Sequence, residues 1–260
     1  MKTIPLGFAL ALMAVLPAAA ADDASKPGVV AFNASVRVEV DATGKPVKVE
    51  APADLPESIR SFIEKRVASW QYAPAKENGV PATAVTFVAV GACAIPVAEG
   101  YRLGLDYKGN GPRLLSPSGR LPPPAYPKEA QRSAYSGTFK VEYAIQANGS
   151  TRLEDVETLE GGNKLAKLFH PTLKQWVEGL RYEPEQVNGR PAETTMRFPV
   201  EFKIDTARRN MSTEQWRENY VAELQARAIA SNECIAASAG DGLQPIAQNS
   251  PVKVTPKPAG

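Results

Sequence analysis

The stretch Leu180–Phe202, LRYEPEQVNGRPAETTMRFPVEF, contains a spaced pattern that the chain uses twice. Within it, Tyr, Pro, Asn, Gly and Pro stand at positions 182, 184, 188, 189 and 191. The same residue types stand in the same order and at the same spacing at positions 72, 74, 78, 79 and 81. Repetition of this kind predicts two supersecondary units that share one plan.

The residues before each copy of the pattern predict the same local structure. In residues 32–40 and 139–145 apolar and polar residues alternate, which is typical of a half-buried strand. A turn signal follows each strand, and a short second strand follows the turn. Apolar residues spaced three to four apart then predict a helix that ends near Trp70 in the first copy and near Leu180 in the second.

The second helix contains a proline that limits where it can begin. A proline inside a helix costs about 3 kcal/mol, so Pro171 is predicted to lie in the first turn. His170, the single histidine, then stands at a helix start, where capping or exposure is favoured over catalysis. The sequence has no metal-ligand spacing and no Gly-rich phosphate loop after a strand. We therefore expect no enzyme activity, no metal and no cofactor.

The fold class predicted from these patterns is α+β. It consists of two small units, each a three-stranded antiparallel sheet with a helix on one face, followed by a long C-terminal helix. That helix is indicated by Trp216, Tyr220 and Leu224 at helical spacing, and the Gln-, Pro- and Ser-rich end of the chain indicates disorder. The predicted boundaries are a signal peptide at 1–21, a first unit at 28–95, a linker or extra hairpin at 96–121, a second unit at 122–206, an amphipathic helix at 211–239 and a disordered tail at 240–260.

Charge and the N-terminal sequence restrict the class of protein. Lys and Arg number 30 against 28 Asp and Glu, so no net field favours nucleic acid as a partner. Lys2 precedes a short apolar run, Ile4–Leu16, and small residues follow it, which predicts a secretory signal cleaved near Ala20 or Ala21. The alternative is an uncleaved membrane anchor, but a span needs about 20 apolar residues.

The two cysteines, Cys93 and Cys234, are the only ones in the chain. In an oxidising compartment an isolated pair favours one disulfide over two buried free thiols. Such a bond would close a loop of about 140 residues, worth roughly 4–5 kcal/mol in the chain-entropy model. Export of the chain therefore predicts a Cys93–Cys234 disulfide.

Five motifs around the second copy occur in an order that resembles a known family. They are Pro124–Ala130 (PAYPKEA), Gly137–Val141 (GTFKV), Asn148-Gly149, Arg181–Pro184 (RYEP) and Asn188–Pro191 (NGRP). Together they resemble the C-terminal domain of the TonB energy-transducer family over residues 122–205. The first copy, Phe32–Val90, resembles a degenerate relative, because it keeps the repeated pattern but lacks the Tyr-Pro motif and the full Arg-Tyr-Glu-Pro.

The resemblance implies a periplasmic domain that pairs a strand edge with a short peptide, the TonB box, of an outer-membrane receptor. In strand addition, main-chain hydrogen bonds give affinity and alternate side chains give selectivity. The side chains of Phe198, Val200 and Phe202 are expected to face the core, so the hypothesis concerns the backbone of the closing strand. The partner-binding residues that the resemblance implies are Tyr126, Pro127, Arg197, Phe198, Pro199, Val200, Glu201 and Phe202.

Two features separate this chain from the family's transducers. Transducers hold a permanent membrane helix and a long Pro-rich spacer, whereas here the signal is predicted to be cleaved and the Pro-rich run is only Pro122–Pro124. The predicted function is a non-enzymatic periplasmic protein that binds an envelope protein or peptide by strand addition in outer-membrane transport. The alternatives are a structural envelope spacer, or an anchored TonB-like transducer if the N-terminal segment is retained. The sequence leaves the oligomeric state open.

Overall fold

The computed structural model describes residues 30–116, 120–160, 162–204, 234 and 245–257. Within these residues the protein is α+β, with antiparallel strands and few helices, as predicted. No helix among them is both long and apolar enough to cross a membrane. The predicted signal peptide at 1–21 and, apart from Cys234, the predicted helix at 211–239 lie outside the described residues, so both stay predictions.

The N-terminal half of the described chain forms a sheet covered by one helix. Strand β1 is central between β2 and β6, and its alternate valines are fully buried against Ile63 and Val67 of α1. The β-branched residues favour the strand because they pack well on a pleated surface. The elements in chain order are β1 (Val30–Val40), β2 (Pro46–Glu50), α1 (Glu57–Ala68), β3 (Gln71–Ala73), β4 (Ala75–Glu77), β5 (Val80–Ala82), β6 (Ala84–Val97) and β7 (Gly100–Gly111).

The C-terminal half contains a second core. Three phenylalanines from β9, α3 and β14 meet in it, with the ring centroids of Phe169 and Phe202 4.6 Å apart and those of Phe139 and Phe169 5.0 Å apart. Its elements are β8 (Arg113–Leu114), α2 (Lys128–Arg132), β9 (Gly137–Ile145), β10 (Thr151–Thr158), α3 (Gly162–Gly179), β11 (Tyr182–Glu183), β12 (Gln186–Val187), β13 (Arg190–Pro191), β14 (Thr194–Phe202), β15 (Ile246–Ala247) and β16 (Lys253–Thr255).

The repeated Tyr-Pro-Asn-Gly-Pro pattern adopts the same backbone in both halves. Asn78 and Asn188 have φ values of 53° and 49°, and the glycines after them have φ values of 83° and 74°. Two successive residues with positive φ define a tight hairpin turn of the type that Asn-Gly favours. The turn closes the β4–β5 hairpin in the first half and the β12–β13 hairpin in the second.

A second glycine in each half is placed against the repeated pattern. Gly44, between β1 and β2, has a φ of 88°, and a Cβ atom there would lie 2.3 Å from the carbonyl oxygen of Tyr72. Gly149, between β9 and β10, has a φ of 79°, and a Cβ atom there would lie 2.1 Å from the carbonyl oxygen of Tyr182. Both turns therefore need glycine for its conformation and for its lack of a side chain.

The sheets are larger than the predicted three strands. Residues 100–111 form β7, which pairs antiparallel with β6 over eleven residues, so this part of the 96–121 region is an added strand rather than a linker. The sheet of the first half has six strands, because β12 and β13 of the second half also join it. The second sheet has four strands in the order β10, β9, β14, β15.

The prediction of a disordered tail is wrong for residues 245–257. Strand β15 pairs with β14, and β16 pairs with β3 of the first half. Val252, between them, is 1% exposed and packs in the first core. The low hydrophobicity of this segment did not indicate order, but the edge of β14 and the short strand β3 supply the partners that it joins.

The prediction that Pro171 lies in the first turn of the second helix is also wrong. Helix α3 begins at Gly162, so Pro171 lies inside it and His170 is not at a helix start. The turns before the proline carry Leu165 and Phe169, which are buried in the second core. Burial of these two side chains offsets the local cost of the proline, which is about 3 kcal/mol.

Covalent and hydrogen-bonded contacts connect the two halves and the chain end. Cys93 on β6 forms a disulfide with Cys234, with the two Cα atoms 5.6 Å apart, as the cysteine count predicts. The amide of Asn188 in the second hairpin donates to the Thr83 carbonyl at 2.8 Å, and its Nδ2 donates to Glu77 Oε2 at 2.7 Å. The two Asn-Gly hairpins therefore lie against each other.

Candidate functional site

The outer edge of β14 is the candidate site, because the described strands pair with only part of it. On its inner side β14 pairs with β9 through all nine of its residues. On its outer side β15 pairs only with Met196 and Arg197. Among the described strands, none pairs with the outer side of β14 from Phe198 to Phe202.

Alternation along β14 separates its side chains into two sets. Met196, Val200 and Phe202 are buried in the second core, and the ring centroid of Phe198 lies 6.0 Å from that of Trp176 on α3. These side chains form the core face, as the sequence analysis expected. On the opposite face, Arg197 Nε lies 3.0 Å from Glu142 Oε1 of β9.

Two hydrogen bonds show which main-chain groups face outward. The carbonyl of Thr195 accepts from the amide of Gln248 at 2.8 Å, and the amide of Thr195 donates to Asn249 Oδ1 at 2.7 Å. Backbone groups alternate sides along a strand, so those of Arg197, Pro199 and Glu201 also face outward. Proline has no amide to donate, which suits an edge position and removes one donor from the edge.

Tyr126 lies next to the end of β14, and both Tyr126 and Pro127 have structural roles of their own. The Tyr126 ring packs edge-on against Phe202, with centroids 5.3 Å apart, and its hydroxyl donates to the Tyr135 carbonyl at 2.7 Å. Pro127 is the N-cap residue of the short helix α2. The structure therefore brings Tyr126 and the 197–202 segment together, whereas Cys93 lies on β6 of the other sheet.

Sequence reasoning missed a buried carboxylate beside this edge, that of Glu185. Its Oε1 accepts from Thr86 Oγ1 at 2.6 Å and from Ser250 Oγ at 2.7 Å, and its Oε2 accepts from Thr194 Oγ1 at 3.2 Å. The three donors come from β6, from the chain end and from β14. Burial raises the pKa of Glu185 above its ordinary value of 4.5, against the opposing effect of the hydroxyl donors.

The repeat contains a signal that points to Glu185. The residue after the first proline of the repeated pattern is Ala75 in the first half and Glu185 in the second. Both are fully buried. A glutamate at a position that an alanine fills in the other copy must find partners inside the protein. The segment 245–250 gives no comparable signal, because its strand is only two residues long.

The site offers main-chain donors and acceptors rather than reactive side chains. In the described part of the chain, no group of three or more His, Cys, Asp or Glu residues is placed to hold a metal ion. An antiparallel sheet with a helix on one face and an incompletely paired closing strand defines a class of small α+β modules. Extended peptides bind such modules by adding a strand at the open edge.

Comparison with known proteins identifies the family. Residues 122–204 match the family model described as Gram-negative bacterial TonB protein C-terminal, and the chain belongs to this family through that domain. The chain is similar to the Pseudomonas aeruginosa TonB C-terminal domain solved by solution NMR. The two are 30% identical over 34% of this chain and 86% of that chain, with a TM-score of 0.27. No curated protein sequence matches the chain.

The comparison confirms the family resemblance for the second copy. The match begins at residue 122, so the prediction that the first copy, at 28–95, is related to this family stays a prediction. TonB C-terminal domains belong to the envelope of Gram-negative bacteria and interact with outer-membrane proteins, and they are not enzymes.

Proposed function

We propose that this chain is an exported, non-enzymatic periplasmic protein that binds an envelope protein or peptide by strand addition to β14, in outer-membrane transport. In this proposal residues 28–95 are a second unit of the same class. The signal peptide is cleaved near Ala20 or Ala21. The observation that supports the proposal is the incompletely paired outer edge of β14 in a domain of the TonB family.

In this proposal the candidate residues have different roles. The side chains of Phe198, Val200 and Phe202 hold the strand on the core, and the outward backbone groups of Arg197, Pro199 and Glu201 receive the partner. Beyond Pro199, which lacks an amide, Glu201 supplies the next outward amide. Tyr126 supports the end of the strand through its contact with Phe202.

Substitutions at position 201 test the proposal. Glu201→Pro removes the outward amide and leaves the bonds to β9, so the fold should persist while peptide binding falls at least tenfold. Glu201→Ala is the matched control, because it removes the side chain and keeps the amide. Binding would be measured by fluorescence anisotropy with a panel of synthetic N-terminal peptides from outer-membrane receptors of the source bacterium.

The outcome depends on the difference between the two variants. A peptide that binds wild type and Glu201→Ala but not Glu201→Pro supports strand addition, provided that circular dichroism shows both variants folded. Equal binding to all three proteins, or binding of no peptide in the panel, contradicts the proposal.

A structural spacer is the second candidate function, and the contacts between the two halves favour it. β12 pairs with β6, and Asn188 bonds to Thr83 and Glu77, so the halves are held together by main-chain and side-chain contacts. A spacer predicts that an envelope phenotype of a deletion strain is rescued equally by wild type and Glu201→Pro. Strand addition predicts that only wild type rescues.

Retention of the N-terminal segment would instead favour an anchored TonB-like transducer. Mass spectrometry of the native protein separates the two cases. A mature N-terminus at Ala21 or Asp22 supports the exported protein, whereas an intact N-terminal segment in the membrane fraction supports the transducer.

A further inference from the structure

The chain itself already places a strand on the proposed binding edge. We call residues 245–250, Pro-Ile-Ala-Gln-Asn-Ser, the C-terminal segment. Ile246 and Ala247 pair antiparallel with Arg197 and Met196 of β14, and the Gln248 amide extends the pairing by donating to Thr195. These contacts occupy the same outer edge of β14 that strand addition requires, and they overlap the proposed partner site at Arg197.

Side-chain hydrogen bonds hold the C-terminal segment in one position on the protein. Asn249 Oδ1 accepts from the Thr195 amide at 2.7 Å, and the Ser250 hydroxyl donates to Glu185 at 2.7 Å. Asn110 on β7 donates to Ser250 Oγ at 2.9 Å and to the Val252 carbonyl at 2.8 Å. The segment is thus recognised through an amide side chain and a hydroxyl as well as through its backbone.

We infer that the C-terminal segment is an internal ligand of β14, which the external partner must displace from Thr195–Arg197. This inference rests on the proposed function and names both the regulation of the site and the class of its partner. The partner is an extended peptide that runs antiparallel to β14, with small or aliphatic residues opposite Met196 and Arg197. A hydrogen-bonding side chain follows them and reaches the Thr195 amide.

The length of the pairing makes displacement feasible. β7 pairs with β6 through eleven residues, whereas β15 pairs with β14 through two. An attached segment competes at an effective concentration on the order of millimolar, so it weakens external binding without abolishing it. Each lost hydrogen bond between the segment and β14 should strengthen external binding by a factor of up to about ten.

The experiment uses the segment itself as the probe. A fluorescein-labelled peptide of residues 244–251, QPIAQNSP, is titrated into the full-length mature protein. The double variant combines Gln248→Pro with Asn249→Ala. The proline removes the amide that donates to the Thr195 carbonyl, and the alanine removes the side-chain oxygen that accepts from the Thr195 amide. The variant should bind the peptide at least tenfold more tightly than wild type.

Three controls connect the binding to this edge. Gln248→Ala keeps the backbone amide and should behave as wild type. The same peptide with proline in place of Gln248 should not bind. Adding Arg197→Pro to the double variant removes an outward amide of β14 and should abolish binding, whereas adding Arg197→Ala should not.

The result separates the two proposals. Equal, or undetectable, peptide binding to wild type and the double variant, with both proteins folded, overturns the internal ligand. Tighter binding to the double variant supports it even if no receptor peptide binds. If a receptor peptide binds wild type and the double variant with equal affinity, strand addition stands and the internal ligand is overturned.

Discussion

The closing strands of the two halves, β6 and β14, differ in what covers their outer edge. Strand β6 is covered by β12 at its start and by β7 from Phe87 to Val97, so its edge is used within the chain. Two residues of β14 pair with β15 on this side. No other described strand pairs with the outer side of β14 beyond them. The same sequence pattern therefore builds one covered edge and one edge that the described strands leave unpaired beyond Arg197.

This comparison explains why only the second half is a candidate for binding. The segment after β6 returns directly as β7, a hairpin that needs no other part of the molecule. The segment after β14 begins at Lys203, and among the described residues that follow it Ile246 and Ala247 pair with β14. A partner adding to β6 would have to displace an eleven-residue strand, whereas a partner adding to β14 meets a two-residue strand.

The largest expected effect concerns the disulfide that fixes β6 to the chain end. Replacing Cys93 and Cys234 together by alanine removes a crosslink with a sequence separation of 141 residues. The chain-entropy model gives a loss of up to about 5 kcal/mol in the free energy of unfolding. Urea unfolding of the double variant and of wild type, with and without reductant, measures the loss. A reductant effect that persists in the double variant would assign it to something other than this bond.

The two turn glycines test what the halves have in common. Gly44→Ala and Gly149→Ala each force a Cβ atom against a tyrosine carbonyl, so each should cost more than about 2 kcal/mol. Gly189→Ala is the control, because its φ is 74° but nothing lies within 4 Å of its Cβ position. It should cost only about 1 kcal/mol, for the left-handed backbone. Thermal unfolding measures the loss of stability in the three variants. Similar losses for Gly44→Ala and Gly149→Ala, both larger than the loss for Gly189→Ala, would support the common plan. A difference between the first two as large as their difference from the control would contradict it.

A substitution of Glu185 tests a position at which the two halves differ in sequence. Glu185→Ala leaves the hydroxyls of Thr86, Thr194 and Ser250 without their acceptor and should cost about 1–3 kcal/mol. Ala75, its counterpart, has no such partners to lose. Urea unfolding measures the effect, and a loss no larger than that of an ordinary surface substitution would show that the three hydroxyls find other acceptors.

The raised pKa of Glu185 also gives a pH dependence with a definite sign. Because the folded protein holds this proton more tightly than the unfolded chain, the contribution is fully present below the ordinary carboxyl pKa of 4.5 and is lost as the pH rises through the raised value. Wild type should therefore gain stability relative to Glu185→Gln as the pH falls towards 4.5. The free energy of unfolding of both proteins is measured across this pH range. The difference between the two values cancels the contributions of the titrating groups that they share.

The smallest expected effect concerns the ion pairs on the outer faces of the two sheets. Arg197 lies 3.0 Å from Glu142 across β14 and β9, and Arg37 lies 3.3 Å from Glu50 across β1 and β2. Both pairs are partly exposed, so Arg197→Ala and Arg37→Ala should each cost less than about 1 kcal/mol and lose that effect in high salt. A larger loss for Arg197→Ala in an unfolding titration would indicate that its side chain also holds the edge of β14 in place.

The sequence predicts best the features that local geometry decides. The Asn-Gly hairpins follow from the positive φ values that these residues tolerate, and the strands 32–40 and 139–145 follow from alternation. The disulfide follows from having only two cysteines, and the family follows from five motifs in order. All of these depend on residues close in sequence or on a simple count.

Features decided by distant contacts are harder to predict. Strand β7 contains four glycines between residues 100 and 111, which weaken the alternation that would identify it. Pro171 is tolerated inside α3 because Leu165 and Phe169 gain burial in a core that the local sequence does not show. For the candidate site, the sequence predicts the open strand but not the segment across it, because two-residue strands depend on the edge that receives them.

The position of Val252 has a consequence for how the protein folds. This residue is 1% exposed in the first core, and the strand after it pairs with β3, about 180 residues earlier in the chain. Contacts of such sequence separation slow folding, because a long loop must close before they form. During synthesis the first half can collapse early, but its core stays incomplete until Val187, Val252 and Val254 have left the ribosome. We therefore expect nascent chains that stop before residue 252 to be more sensitive to protease in their N-terminal half than the finished protein.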